Sequence, residues 1–195
     1  MNLKFLDSGE LDIDLAFSGF TNKSLCKIDN LSENFVLNNL AFWHRELFYW
    51  LSYLRKECVL SCPRAVRENN SFSIGLQFTD DHYIRDLNSK WRHQQKKTDV
   101  LSFPVLDESL LLQGSDCIEL GDIVVSIPTA QSQAEEEDHS LEKELRWLVS
   151  HGLLHLLGWV HPNGKQLNEM LSLQEQLLTI SGNLQPIWCK NKEHL

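Results

Sequence analysis

The chain has 195 residues, 42% of them apolar and 23% charged, which is typical of a soluble globular protein and excludes a wholly disordered or collagen-like chain. No apolar run approaches the roughly 18 residues of a membrane helix, and no signal-peptide core is present, so we expect a cytoplasmic protein. The net charge of −9 disfavours nucleic acid as a partner. Residues 82–97, however, carry five bases against one acid, which predicts a local basic patch.

The five cysteines are odd in number and scattered, so buried or incidental reduced thiols are expected instead of disulfides. Cys58 and Cys62 could both bind a metal, but no second pair accompanies them. The other three are Cys26, Cys117 and Cys189.

Hydrophobic spacing predicts the first elements of the chain. Residues 11–15 alternate in polarity, as a strand does. From Ser32 to about Cys58, apolar residues recur every three to four positions, which predicts one amphipathic helix. Its many aromatic side chains are expected in the core more than on a base-stacking surface. The alternation from Phe72 to Phe78 predicts a strand with one solvated face.

The middle of the chain contains a helix and a strand. Thr79 or Asp80 can cap a short helix that runs to about Trp91 and is followed by a polar, basic loop. Residues 100–105 form the next predicted strand, which Pro104 stops or keeps at a sheet edge. Residues 106–120 are predicted to be a loop.

The remaining elements are one strand and three helices. Residues 123–127 are a continuous apolar strand, and Pro128 suits the first turn of the following helix. The acidic run at 135–138 is expected to be solvated, with a metal site as the less favoured interpretation. Ser140 can open another helix. The last helix, about residues 165–180, has an apolar face formed by Leu167, Met170, Leu171, Leu173 or Gln174, Leu177 and Leu178.

These elements place helices around a small sheet of about four strands. No composition shift marks a linker. We therefore predict one α+β domain over residues 1–195.

The most informative segment is HGLLHLLGWVH, residues 151–161. Positions i and i+4 of a helix differ by about 40° in direction, so His151 and His155 can present nitrogens to one ion. His161 would face elsewhere on a continuing helix, but Gly158 can end the helix in a left-handed conformation and Pro162 prevents its resumption. Three histidines without a nearby fourth ligand predict one catalytic Zn²⁺ with an open position for water.

The histidine spacing equals that of metzincin proteases, HExxHxxGxxH. Gly152 stands where those enzymes have the glutamate that acts as general base, which argues against peptide hydrolysis by their route. A metallohydrolase of peptide or small-molecule substrates stays open as an alternative.

Together with two further blocks, this segment resembles the YbeY family of bacterial endoribonucleases, whose pattern is HGxLHLxGYDH. The blocks are LNSKWR at 87–92 followed by TDVLSFP at 98–104, and LGDIVVS at 120–126. The resemblance covers about residues 72–180, and no family motif matches residues 1–70. It implies a small sheet with helices around a central metal-bearing helix.

The resemblance also implies a function. It indicates a zinc-dependent endoribonuclease specific for single strands, acting in 16S rRNA 3′-end maturation and ribosome quality control, with the small ribosomal subunit as partner and no membrane. It implies that His151, His155 and His161 are zinc ligands, and it aligns the family's functional arginine with Arg92. A guanidinium near the metal could hold a phosphate with two hydrogen bonds and stabilise transition-state charge.

Two positions depart from the family pattern: Val160 replaces an aspartate, and Trp159 replaces a tyrosine. If that aspartate orients a ligand or assists proton transfer, its loss weakens the site. A non-catalytic ribosome-assembly factor with a structural metal therefore stays open as a second alternative. Candidates for the general base are Asp99, Asp122 and His93.

Overall fold

The computed structural model describes residues 11–20, 31–57, 62–106 and 117–181. Within these ranges it contains four strands and seven helices. The strands are β1 (Asp12–Ser18), β2 (Ser71–Thr79), β3 (Val100–Pro104) and β4 (Ile118–Ser126). The helices are α1 (Leu31–Asn38), α2 (Leu40–Glu57), α3 (Arg64–Glu68), α4 (Asp81–Arg92), α5 (Ile127–Glu136), α6 (Leu141–Leu156) and α7 (Gly164–Ser181).

The strands form one sheet in the order β1-β2-β4-β3. The pairs β1–β2 and β2–β4 are parallel, whereas β3 runs antiparallel to β4 at the edge. The parallel pairs require crossover segments, which the helices supply. The predicted α+β class and the small four-stranded sheet are confirmed.

The two faces of the sheet carry different helices. Helix α6 packs on one face together with α2, whose Trp43 and Trp50 are fully buried, so the aromatic residues of α2 do contribute to the core as predicted. Helix α4 packs on the other face, where its Ile84 joins a smaller cluster with Leu101 and Val124. Burial alternates along β2, which confirms the strand with one solvated face.

The helix predicted from Ser32 to about Cys58 is two helices. The break falls at Asn39, whose side-chain oxygen accepts a hydrogen bond from the backbone N–H of Phe42 at 2.9 Å. Asparagine is a favoured residue at a helix start. The apolar period continues across this break, so spacing alone could not reveal it. Cys58 lies outside the described residues.

Strand β4 begins at Ile118, whereas the sequence predicted its start at residue 123. The pairing register with β2 shifts between Glu119 and Gly121, so Leu120 is the extra residue of a bulge. Gly121 follows with φ +120°, a conformation that favours glycine. The bulge interrupts the apolar alternation, so this end of the strand was predicted as loop.

Most helix boundaries agree with the sequence. Asp80 caps α4 by accepting a hydrogen bond from the N–H of Tyr83, and Ser140 caps α6 through the N–H of Lys143. Pro128 lies in the first turn of α5, and the acidic residues 135–138 are exposed. Among the described helices, none combines the length and apolar character needed to cross a membrane.

Two of the five cysteines lie in the described part of the chain. Cys62 is buried and Cys117 is exposed. The expectations for Cys26, Cys58 and Cys189 fall outside the described residues.

Candidate metal centre

Helix α6 holds two histidines one turn apart. The rings of His151 and His155 have centroids 4.6 Å apart, and their Nε2 atoms are separated by 3.0 Å. Both side chains are half-buried. The four-residue spacing on a helix therefore brings the two imidazoles together as the sequence predicts.

A glycine just after the end of helix α6 returns the chain toward these two rings. Gly158 has φ +85°, and its N–H donates to the carbonyl of His155, while the N–H of Trp159 donates to the carbonyl of Leu154. These two bonds form a Schellman motif. The His161 ring consequently lies 5.5 Å and 5.3 Å from the rings of His151 and His155.

Hydrogen bonds define which ring nitrogen of each helical histidine is available. The Nδ1 of His155 is 2.8 Å from the carbonyl oxygen of Trp159. A carbonyl only accepts, so Nδ1 must donate and the Nε2 lone pair is free. The Nδ1 of His151 lies 3.3 Å from Oε1 of Gln174, a residue of α7. Helical spacing predicts Gln174 only as a possible apolar-face position, and a polar residue within that apolar stripe is the signal of a second role.

The pKa values of both helical histidines are lowered. Burial lowers the pKa of His151 to about 4, and the neighbouring His155 and His161 act in the same direction against the raising effects of Gln174 and Asp99. Burial also lowers the pKa of His155, with the charges of His161 and Arg92 adding to it. Both rings are thus neutral near pH 7, which is the form that binds a metal.

Donor spacing and chemistry test whether these residues fit one zinc ion. One nitrogen from each histidine lies within 4.8 Å of the other two. Two nitrogens bound to Zn²⁺ at about 2.0–2.1 Å in tetrahedral geometry would lie about 3.3–3.4 Å apart. Small ring movements would reach this spacing, and among the described residues no cysteine or carboxylate joins the group. The donor set fits an ion with one coordination position left open.

Gly152 faces the sheet. A Cβ atom at this position would lie 2.7 Å from Cγ2 of Ile123 and 3.2 Å from Oγ of Ser102. The position that carries the catalytic glutamate in metzincins therefore has no room here for a side chain.

Arg92 is the last residue of α4 and is exposed beside a groove of about 890 Å³ on the α4 face of the sheet. Its positive charge lowers the pKa of His155, so it lies within electrostatic range of the histidines. Trp91, also on the groove, is 60% exposed and contacts Phe103 edge to face at 6.1 Å between centroids. The groove is thus lined by an exposed aromatic ring and by a cation whose charge acts on His155.

Comparison with known proteins identifies the family. Residues 51–182 match the family model described as Endoribonuclease YbeY. The chain belongs to the YbeY family. A relative named Endoribonuclease YbeY from Prochlorococcus marinus strain MIT 9313 is 49% identical over 174 residues, covering 89% of this chain and 93% of that protein.

Another protein of the same name, from Synechococcus sp. strain CC9605, is 54% identical over 136 residues, covering 70% of this chain and 82% of that protein. A solution structure of a Thermotoga maritima protein covers 86% of this chain and 89% of its own, with 24% identity and a TM-score of 0.49.

The departures from the YbeY pattern have different structural settings. Val160 is 62% exposed, so its side chain projects largely into solvent. The Trp159 side chain packs partly against the core, while its backbone carbonyl holds His155. The contact to His155 therefore does not depend on the hydroxyl that a tyrosine would carry.

The three candidates for a general base lie in different places. Asp99 precedes β3, and its carboxylate accepts hydrogen bonds from the N–H of Val100 and from Nε2 of Gln133 at 3.0 Å. Its charge raises the pKa of His151, which links it to the histidine group. Asp122 lines the groove with Arg92, and His93 ends α4 as an exposed residue with φ +57°.

Proposed function

We propose that this YbeY-family chain is a zinc-dependent endoribonuclease specific for single-stranded RNA. Its proposed role is cytoplasmic, in 16S rRNA 3′-end maturation and ribosome quality control on the small ribosomal subunit. The observation that carries the proposal is the convergence of His151, His155 and His161 within 4.8 Å, with Arg92 in electrostatic range. Family membership and the name of the relatives support RNA phosphodiester hydrolysis as the reaction.

Each residue of the proposed site has a chemical task. A bound Zn²⁺ would supply a Lewis acid that polarises a phosphoryl oxygen and makes a water molecule more acidic. The three neutral histidines would hold that ion without cancelling its charge. Arg92 would bind phosphate oxygens with two parallel hydrogen bonds and stabilise the charge that develops on them. Asp99 would be a candidate acceptor for a proton, because its charge acts on His151.

The groove beside Arg92 supports single-stranded RNA as the substrate. Tyr83, Leu87 and Trp91 line it from α4 at four-residue intervals, so they share one helix face. Exposed aromatic rings stack on unpaired bases, whose faces are covered in a duplex. The lysine and arginine side chains of residues 82–97 would attract the phosphate backbone of the RNA whatever its sequence.

The position of Gly152 argues against the peptide-hydrolase alternative, because Ile123 and Ser102 leave no room there for a glutamate. The assembly-factor alternative rests on Val160, which supplies no group for proton transfer. No described contact favours either alternative over RNA hydrolysis.

Replacing His155 with Ala tests the proposed function directly. Zinc content by mass spectrometry and cleavage of a single-stranded oligonucleotide should both be lost, while the matched duplex should be a poor substrate for the unmodified chain. His82→Ala, an exposed histidine of α4, is the control and should keep both properties. Full cleavage by zinc-free His155→Ala protein would overturn the proposal.

Charge reversal at Arg92 tests the phosphate contact. Arg92→Glu should lower kcat/KM on single-stranded RNA by about 10²–10³-fold, the usual effect of removing a group that stabilises developing charge. Arg85→Glu on the same helix controls for the general loss of positive charge. Equal kinetics for Arg92→Glu and the unmodified chain would remove Arg92 from the site.

Metal removal separates a catalytic from a structural ion. The buried core is built from α2, α6, α7 and the sheet without the histidine side chains, so chelation should stop cleavage while the far-ultraviolet circular dichroism spectrum is kept. Unfolding on chelation would favour the assembly-factor alternative.

A further inference from the structure

Gln174 is a polar residue on a buried apolar helix face. It is 0% exposed and lies on α7 beside Met170, Leu173 and Leu177, which are all buried. Burying an amide costs stability unless both of its ends are hydrogen-bonded. An apolar side chain would suit this position at least as well if packing were its only task.

Both ends of the amide are hydrogen-bonded, and the bonds determine its orientation. Nε2 donates to the backbone carbonyl of Trp147 at 2.7 Å. Because that carbonyl can only accept, Oε1 must be the atom facing Nδ1 of His151, at 3.3 Å. The His151 Nδ1–H then donates to Oε1, and the Nε2 lone pair of His151 is left facing the histidine group.

The two helical histidines therefore differ in what holds them. His155 is held by the backbone oxygen of Trp159, which no side-chain substitution removes. His151 is held by a side chain from a different helix. Partners of this kind fix the tautomer and orientation of metal-binding histidines.

We propose that Gln174 is the positioning residue of the metal centre: it holds His151 in the tautomer and orientation that bind the ion, and so couples ion binding to the packing of α7 on α6. This inference rests on the zinc site of the proposed function. It concerns affinity for the ion and does not require that the chain cleave RNA.

Three variants separate positioning from packing. Gln174→Leu keeps a side chain of similar size but removes the acceptor, and zinc affinity should fall by about 10–100-fold. Gln174→Glu keeps an acceptor for His151 but places a carboxylate oxygen against the Trp147 carbonyl oxygen. It should therefore bind zinc more tightly than Gln174→Leu, whereas its metal-free form should be less stable than that of Gln174→Leu. Gln176→Leu, an exposed glutamine of α7 bonded to Tyr53, is the matched control and should bind zinc normally.

The measurements are zinc dissociation constants by chelator competition, urea unfolding of the metal-free proteins, and the visible absorption spectrum of the Co²⁺ forms. If Gln174 positions His151, the variants should rank differently by zinc affinity than by stability of the metal-free protein. The Co²⁺ spectrum of Gln174→Leu should also differ from that of the unmodified chain. Affinities that follow stability, or a Gln174→Leu affinity within threefold of the unmodified chain (about 0.65 kcal/mol), would overturn it. If both Gln174→Leu and His155→Ala kept their zinc, the proposed metal site itself would be wrong. If His155→Ala lost its zinc and Gln174→Leu kept it, the metal site would stand and only the role of Gln174 would be rejected.

Discussion

Gly152 and Gly158 lie close to the ligands of α6 but are required for different physical reasons. Gly152 is helical and touches the sheet, where a Cβ would be only 2.7 Å from Ile123. Gly158 has φ +85°, and an added Cβ would meet nothing within 4 Å. The first position is limited by space and the second by backbone conformation.

Substitutions should separate these two causes. Gly152→Ala should destabilise the chain by about 1–3 kcal/mol through overpacking, partly offset by the better helix propensity of alanine. Gly158→Ala should cost about 1–2 kcal/mol, the strain of a left-handed L-residue. Asparagine tolerates that conformation, so Gly158→Asn should recover stability in urea unfolding, whereas Gly152→Asn should lose more than Gly152→Ala. Similar effects of asparagine at both positions would contradict this assignment.

The lowered pKa of His151 predicts how the metal-free chain depends on pH. Its pKa is about 4 in the folded chain and 6.5 ordinarily, so the unfolded state takes up the proton first as the pH falls. Neutral His151 therefore makes its full contribution to the free energy of unfolding above pH 6.5, and this contribution is lost as the pH falls toward 4. The urea midpoint of chelator-treated protein should therefore fall across this window.

His151→Gln should show a weaker pH dependence, because glutamine does not titrate. His82→Gln, at an exposed position, should keep the original dependence. Identical slopes for His151→Gln and the unmodified protein would show that another group is responsible.

At the scale of elements, a buried ion pair joins three helices. Arg146 of α6 and Glu46 of α2 are 3% and 1% exposed, with Nη2 and Oε2 separated by 2.8 Å. The guanidinium also donates to the carbonyl of Leu178 in α7 at 3.3 Å. Arg146 therefore links both α2 and α7 to the helix that carries His151 and His155.

Breaking this pair should be costly. Arg146→Ala leaves the Glu46 carboxylate buried without its main partner and should lower the free energy of unfolding by about 3–5 kcal/mol. Arg64→Ala removes an exposed i,i+4 pair with Glu68 and should cost less than about 1 kcal/mol. Replacing both Arg146 and Glu46 with apolar residues should cost less than Arg146→Ala alone; a larger loss in urea unfolding would reject the desolvation argument.

The elements predicted best from the sequence are those whose signals are local. Ser140, Asp80 and Pro128 mark helix starts because a cap acts over three or four residues. Two of the wrongly predicted boundaries have opposite local causes: Asn39 divides a continuous apolar period, and the bulge at Leu120 interrupts the apolar alternation within β4. A side-chain cap overrides the periodicity at Asn39, and strand pairing overrides it at Leu120.

At the scale of the molecule, the candidate site combines elements from both faces of the sheet. The histidines come from α6 and the residues after it, whereas Arg92 and Trp91 come from α4 on the opposite face. The arrangement predicts that RNA contacts the metal centre and the groove together, with the bases against Trp91.

Abasic RNA tests this contact with the bases. In a His155→Ala background that leaves RNA intact, Trp91→Ala should weaken binding of a single-stranded oligonucleotide by roughly 5- to 150-fold, the value of one stacked base at about 1–3 kcal/mol. An oligonucleotide with an abasic spacer should bind both proteins equally. Phe35→Ala, at an aromatic residue of α1 that is 57% exposed, should change nothing. Equal losses on intact and abasic RNA would refute stacking.

Local patterns were sufficient to predict that the three histidines converge, that Gly158 follows the end of α6 and that the fold is α+β. Helix periodicity and turn conformation act between residues that are close in the chain. The contact of Gln174 with His151 spans 23 residues and depends on how α7 packs on α6. The electrostatic effect of Arg92 on His155 likewise depends on how α4 packs against the sheet. These relations come from packing between distant segments, which no local pattern encodes.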